Sequence, residues 1–143
     1  MSNSYSGLKI EGGKYLKIKG GDTADIHILS EHPKSVKVHG FGQERLDCPG
    51  DGCNMCESGE TPKQRWMVNV FDRKDSKVKV YEFGTTVARQ IKNIAEMLEE
   101  SQQTVHHVDL RIKAEGAGIN IEYTVMQKPM SGEIPEGLKL YQL

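Results

Sequence analysis

Three cysteines fall within nine residues, Cys48-Pro-Gly-Asp-Gly-Cys53-Asn-Met-Cys56, and the chain has no others. An odd set so close together cannot close completely into intrachain disulfides. The opening Met1-Ser-Asn-Ser-Tyr5 has none of the features of a secretory signal. The thiols are therefore expected in a reducing, intracellular setting. Gly50, Gly52 and Gly59, with Pro49 and Pro62, mark tight turns around them. Glycines beside thiolates let the backbone wrap a metal and point amide groups at the sulfurs. The expectation is a single structural Zn2+ held by Cys48, Cys53 and Cys56, with His39 best placed as fourth ligand. His39 ends the strand-like run Lys34-Ser-Val-Lys-Val-His39, which feeds into the loop. His32, in a Ser-Glu-His-Pro turn, is the reserve. His27 lies inside an alternating strand, and Asp47 or Asp51 would be unusual partners for three thiolates. A redox Cys-x-x-Cys would be expected to open a helix in a βαβ unit, which these turns do not suggest. A catalytic zinc usually keeps an open position and relies more on histidine or carboxylate.

A length of 143 residues suits one domain, residues 1–143, with the metal-holding insertion at about 39–62 and an irregular segment at 128–143. No apolar run approaches the length of a membrane span. The formal net charge is −1, so any nucleic-acid binding requires basic residues gathered on one face.

Alternation of period two dominates the pattern. Lys14–Lys19 and Thr23–Leu29 read as strands about a Gly20-Gly21-Asp22 turn, followed by the run at 35–39. Arg65–Asp72 and Lys77–Phe83 form a hairpin about Arg73-Lys74-Asp75-Ser76. From Thr85 or Thr86, either able to cap, to Glu100, residues Val87, Ile91, Ile94, Ala95 and Leu98 share one helical face. His107–Ala114 and Ile119–Gln127 make a second hairpin around Glu115-Gly-Ala-Gly118. Three strands, a helix and two strands is the order of a mainly-β, five-stranded OB-fold-like barrel, although other small α+β arrangements give the same string. The long first strand would come from the segments before Ser30, with the metal loop between the first and second barrel strands.

Strand phase places Trp66, Val68 and Val70 inward with Val78 and Val80. The other face then carries Arg65, Met67, Asn69, Phe71 and Arg73 beside Lys77, Lys79 and Tyr81. Tyr15, Lys17 and Lys19, Lys37, and Arg111 with Lys113 extend the same chemistry. Cations that track phosphates and rings that stack on bases are what single-stranded nucleic acid asks of a surface. The plainer reading is that Phe71 and Tyr81 fill a second small core. A one-residue slip would exchange Trp66 with Phe71 as the exposed ring.

The residues from Lys14-Tyr-Leu-Lys-Ile18 through His39, the cysteine loop, Pro62-Lys-Gln-Arg-Trp66, Val68–Arg73 and Val78–Gly84 into the helix resemble the zinc-containing single-stranded DNA-binding proteins of tailed bacteriophages. The resemblance runs from about Lys14 to Gln127, and its most specific part is the His…Cys…Cys-x-x-Cys order before a basic-aromatic hairpin. It implies an OB-fold with a zinc-bearing subdomain that coats single strands in DNA replication, recombination and repair. It implies largely sequence-independent binding, location in the cytoplasm of an infected bacterial host, replication or recombination proteins as partners, and self-association along the strand. The closing residues Gly137-Leu-Lys-Leu-Tyr-Gln-Leu143 are not the acidic tail by which many members recruit partners.

No enzyme is expected. There is no paired carboxylate, nucleophile with its base, or phosphate-cradling glycine loop, and His106-His107 near Asp109 is a weak acid-base candidate. The alternative from another class is a zinc-ribbon module that binds a protein of a replication or transcription complex.

Overall fold

The run containing Trp66 becomes the longest strand and organises the sheet. The structure, a computed structural model, describes residues 14–39, 46–47, 59 and 61–143, so the cysteines and the loop expected around them lie outside the described residues. Strands β1 (Thr23–Ile28), β2 (Lys34–His39), β3 (Leu46–Asp47), β4 (Lys63–Asp72) and β5 (Lys77–Phe83) precede the helix α1 (Thr85–Glu100). A 3-10 turn (Val105–His107) then leads into β6 (Val108–Glu115) and β7 (Glu122–Pro129). All the strands pair antiparallel in one sheet of order β3-β2-β4-β1-β6-β7, with β5 also hydrogen-bonded to β4.

Two strands share β4 in succession. Val70–Asp72 face Ile28–Ile26 of β1, and Lys63–Met67 face Val38–Lys34 of β2. Between them the chain leaves the ladder as a bulge. The N–H groups of Leu29 and Ser30 both donate to the Asn69 carbonyl at 2.8 and 3.3 Å, and the Ser30 hydroxyl accepts from the Asn69 N–H at 2.7 Å. The strand kinked here is thus β1, one of the expected segments before Ser30, continued past Ser30 by β2. Lys14–Lys19 is not a strand in its own right: Tyr15 makes a single parallel bridge to Val80. The Gly20-Gly21 turn sits against the β6–β7 connection, where a Cβ on Gly20 would stand 1.9 Å from the Gly116 carbonyl oxygen. Only glycine permits that approach.

The core corrects one phase assignment. Trp66 faces Phe83, Val68 faces Tyr81 and Val70 faces Lys79. Residues directly opposite in an antiparallel pair share a side. Tyr81 and Phe83 therefore join Val68 and Val70 inside, with Trp66 packed at the margin, while Val78 and Val80 go outward with Phe71 and Asn69. Ile26, Leu110 and Ile112 are fully buried at the centre of the inner face.

Helix α1 covers this inner face with the expected stripe: Val87 and Leu98 are buried, and Ile91 and Ile94 pack against the core. Neither Thr85 nor Thr86 caps it. Gly84 is the N-cap, with no side-chain cap bond. The second hairpin begins one residue later than expected and its return strand three, which leaves Ile119 in the connection and fully exposed. Gln90 treats the edge of β7 as a strand would, donating to the Tyr123 carbonyl at 2.8 Å and accepting from the Val125 N–H at 2.7 Å. Among the described residues no ladder joins β5 to β7. The architecture is an antiparallel, mainly-β sheet with one α-helix.

Candidate nucleic-acid interface

The outer face of β4, expected to be the binding surface, is instead packed over. Asn69, Phe71 and Val80 are all buried. Asn69 forms a reciprocal pair with the backbone of Tyr141, donating to its carbonyl at 3.0 Å and accepting from its N–H at 2.9 Å. Further along, Asp109 is 2 % exposed and gathers the C-terminal segment. It accepts from Arg73 at 2.9 and 3.1 Å and from the Ser131 hydroxyl at 3.0 Å, and it contacts the His27 ring at 3.1 Å. Burial pushes the Asp109 carboxyl up, but the bonds from Arg73, Ser131 and His27 outweigh it and hold it below the ordinary carboxylate value. Arg73 also donates to the Gly132 carbonyl at 3.0 Å. Residues 131–141 thus fasten across this face, and Phe71 belongs to a second small core.

Most of the expected cations are already paired. Arg65 bonds Glu82 at 2.8 Å, Arg111 bonds Asp25 at 2.8 and 3.0 Å, Lys79 reaches Asp72 and Asp75, and Lys113 lies 3.1 Å from Glu115. The Arg111 bonds hold the Asp25 carboxyl below its usual range. Lys17, Lys19, Lys37 and Lys77 are exposed, as is Tyr15 at 45 %. These residues do not form the single outer stripe that alternation suggested.

The residues that do come together lie around the start of α1. A cleft of about 720 Å³ is lined by Lys17, Lys63, Arg65, Tyr81, Glu82, Gly84, Thr85, Thr86, Ile119, Ile121 and Tyr123. It brings Lys17, Arg65 and Tyr81 of the expected set beside Lys63, Tyr123 and the first turn of α1, which the sequence reading missed. Tyr123 was legible only through its phase with Val125, and the helix start through the glycine before two threonines. Burial pushes the Tyr81 phenol far above the ordinary tyrosine value, with Tyr123 adding to the shift and Arg65 opposing it, so at neutral pH it is a hydroxyl donor. A second groove, about 350 Å³ and mostly apolar, runs between α1 and the sheet beside Trp66 and Phe83, whose rings stack with centroids 6.3 Å apart.

For the metal, the backbone gives a partial view. Val38 pairs with Asp47 and His39 with Leu46, so β3, which immediately precedes Cys48, lies beside the end of β2. His39 is buried at 1 % whereas His32 is exposed. Among the described residues no group of three His, Cys, Asp or Glu side chains stands ready for a metal. None of their helices is long and apolar enough to cross a membrane.

No family model and no solved structure matches the chain. It is similar to a protein of Escherichia phage T5 described as a probable ssDNA-binding protein, at 32 % identity over 96 residues. Those residues make up 66 % of this chain and 35 % of the phage protein, so the match spans about a third of the relative's length.

Proposed function

We propose that this is a non-catalytic single-stranded DNA-binding protein that coats and protects the strand, largely without regard to sequence, during phage replication, recombination or repair in the infected cell. The observation that carries the reading is the cleft, which sets Lys17, Lys63 and Arg65 beside Tyr81 and Tyr123. Cations beside aromatic side chains are what a sequence-tolerant single-strand site needs, and the distant phage relative supports the same assignment. The sheet is read as an OB-like barrel whose first strand is kinked at Leu29–Pro33, with the cysteine segment inserted between its first and second barrel strands. His39, Cys48, Cys53 and Cys56 hold a structural Zn2+ in this reading. The nearness of β3 to His39 and the burial of that imidazole support it. Three thiolates and an imidazole close a tetrahedron and leave no position for substrate. The ion would serve to pin the loop beside the β2–β4 ladder. Replication or recombination proteins and further copies along the strand are the natural partners.

The apolar groove beside Trp66 favours a second reading, a zinc-ribbon module that docks a protein of a replication or transcription complex. Salt separates the two. Affinity for a single-stranded oligonucleotide should fall steeply with ionic strength, with a log-log slope of about −0.7 per phosphate contact. A flat response would point to the protein-docking reading.

A further inference from the structure

Resting on the single-strand reading, we propose that the N-terminus of α1 is a phosphodiester site, so that the strand crosses the sheet at this cleft and not over the outer face of β4 and β5. The start of the helix is electrostatically unfinished. Its N-cap is Gly84, no side chain caps it, and its first turn carries no acid. The orphan N–H groups and the helix dipole there favour an anion. A cation stands at this positive end instead: the Arg65 Nη1 lies 3.2 Å from where a Cβ on Gly84 would be, while its Nε donates to Glu82. Lys17 and Lys63 line the same cleft.

A second, independent observation points to a ligand. Tyr81 is 5 % exposed and lines this cleft, yet its hydroxyl has no hydrogen-bond partner among the described residues. The ring is packed in the core while the hydroxyl opens into the cleft, where it is left to whatever occupies it. A phosphate oxygen over the first turn of α1 would accept from this hydroxyl and from the backbone amides while Arg65 and Lys17 balance its charge. Ile119, which lines the cleft, is fully exposed, and this leaves a path for an extended strand.

Two substitutions test the site without threatening the fold. Thr86→Asp places a carboxylate in the first turn, where it complements the helix dipole but repels phosphate. Tyr81→Phe keeps the ring and removes only a hydroxyl that no protein group uses. Binding of a fluorescein-labelled single-stranded oligonucleotide at low salt should weaken about tenfold for each, because a hydrogen bond to a charged group or a like-charge contact is of that order. The melting temperature should be unchanged for Tyr81→Phe and equal or higher for Thr86→Asp. Lys139→Gln, at an exposed lysine of the C-terminal segment that does not line the cleft, makes the same change of one charge as Thr86→Asp and should leave affinity within about twofold. If the wild type binds the oligonucleotide and both cleft variants bind equally well, the phosphate site is overturned while single-strand binding stands. If the wild type binds no oligonucleotide at low salt, the functional reading falls, and this inference with it.

Discussion

Alanine at Phe71 or at Tyr81 lowers folding stability by about 3–5 kcal/mol, the range for emptying a buried aromatic position. Urea denaturation followed by Trp66 fluorescence measures it. Both rings are 5 % exposed, Tyr81 within the inner core against Phe83 at 5.2 Å between centroids and Phe71 on the outer side with the Arg73 guanidinium 5.5 Å from its ring centre. The loss should appear with no oligonucleotide present. Variants that keep wild-type stability and lose only strand binding would show that the two rings are surface platforms, contrary to the packing described.

Removing the proposed zinc should have the other large effect. A structural ion that binds the folded state alone stabilises it by RT ln(1 + [L]/Kd), which is on the order of 4 kcal/mol when free zinc stands about a thousandfold above its dissociation constant. Dialysis against a chelator should lower the melting temperature and increase proteolytic cutting between Gly42 and Thr61, and both should recover on adding zinc. His39→Ala should reproduce the loss, whereas His32→Ala, at an exposed turn, should not. Protein purified without chelator or acid that contains no zinc would defeat the metal assignment.

Period and punctuation carried most of the fold into the sequence. The β4–β5 hairpin, the boundaries of α1 and its buried stripe, and the later hairpin to within a few residues all follow from apolar spacing and the turns between. What alternation left open was the relative phase of β4 and β5. Val78 and Val80 compete with Tyr81 and Phe83 for the interior, and the choice is settled by the Asp72–Lys77 pair that closes the turn. That one-residue difference moved Tyr81 inside. The interface was less legible because it depends on contacts distant in sequence. Arg111 looks like a phosphate ligand until Asp25, 86 positions earlier, is seen opposite it. Arg73 likewise serves Asp109 and the C-terminal backbone. The cleft draws Lys17, Arg65, Thr86 and Tyr123 from four separate segments, and no local pattern announces it.

The central claim is that this chain holds single strands by phosphate contact and aromatic chemistry in that cleft. A side-by-side titration with a single-stranded DNA oligonucleotide and its duplex, at low and at moderate salt, tests it most directly. The account predicts that the single strand binds more tightly than the duplex, and that its affinity drops steeply as salt rises. Equal affinity for strand and duplex, or no binding of either at low salt, would contradict it.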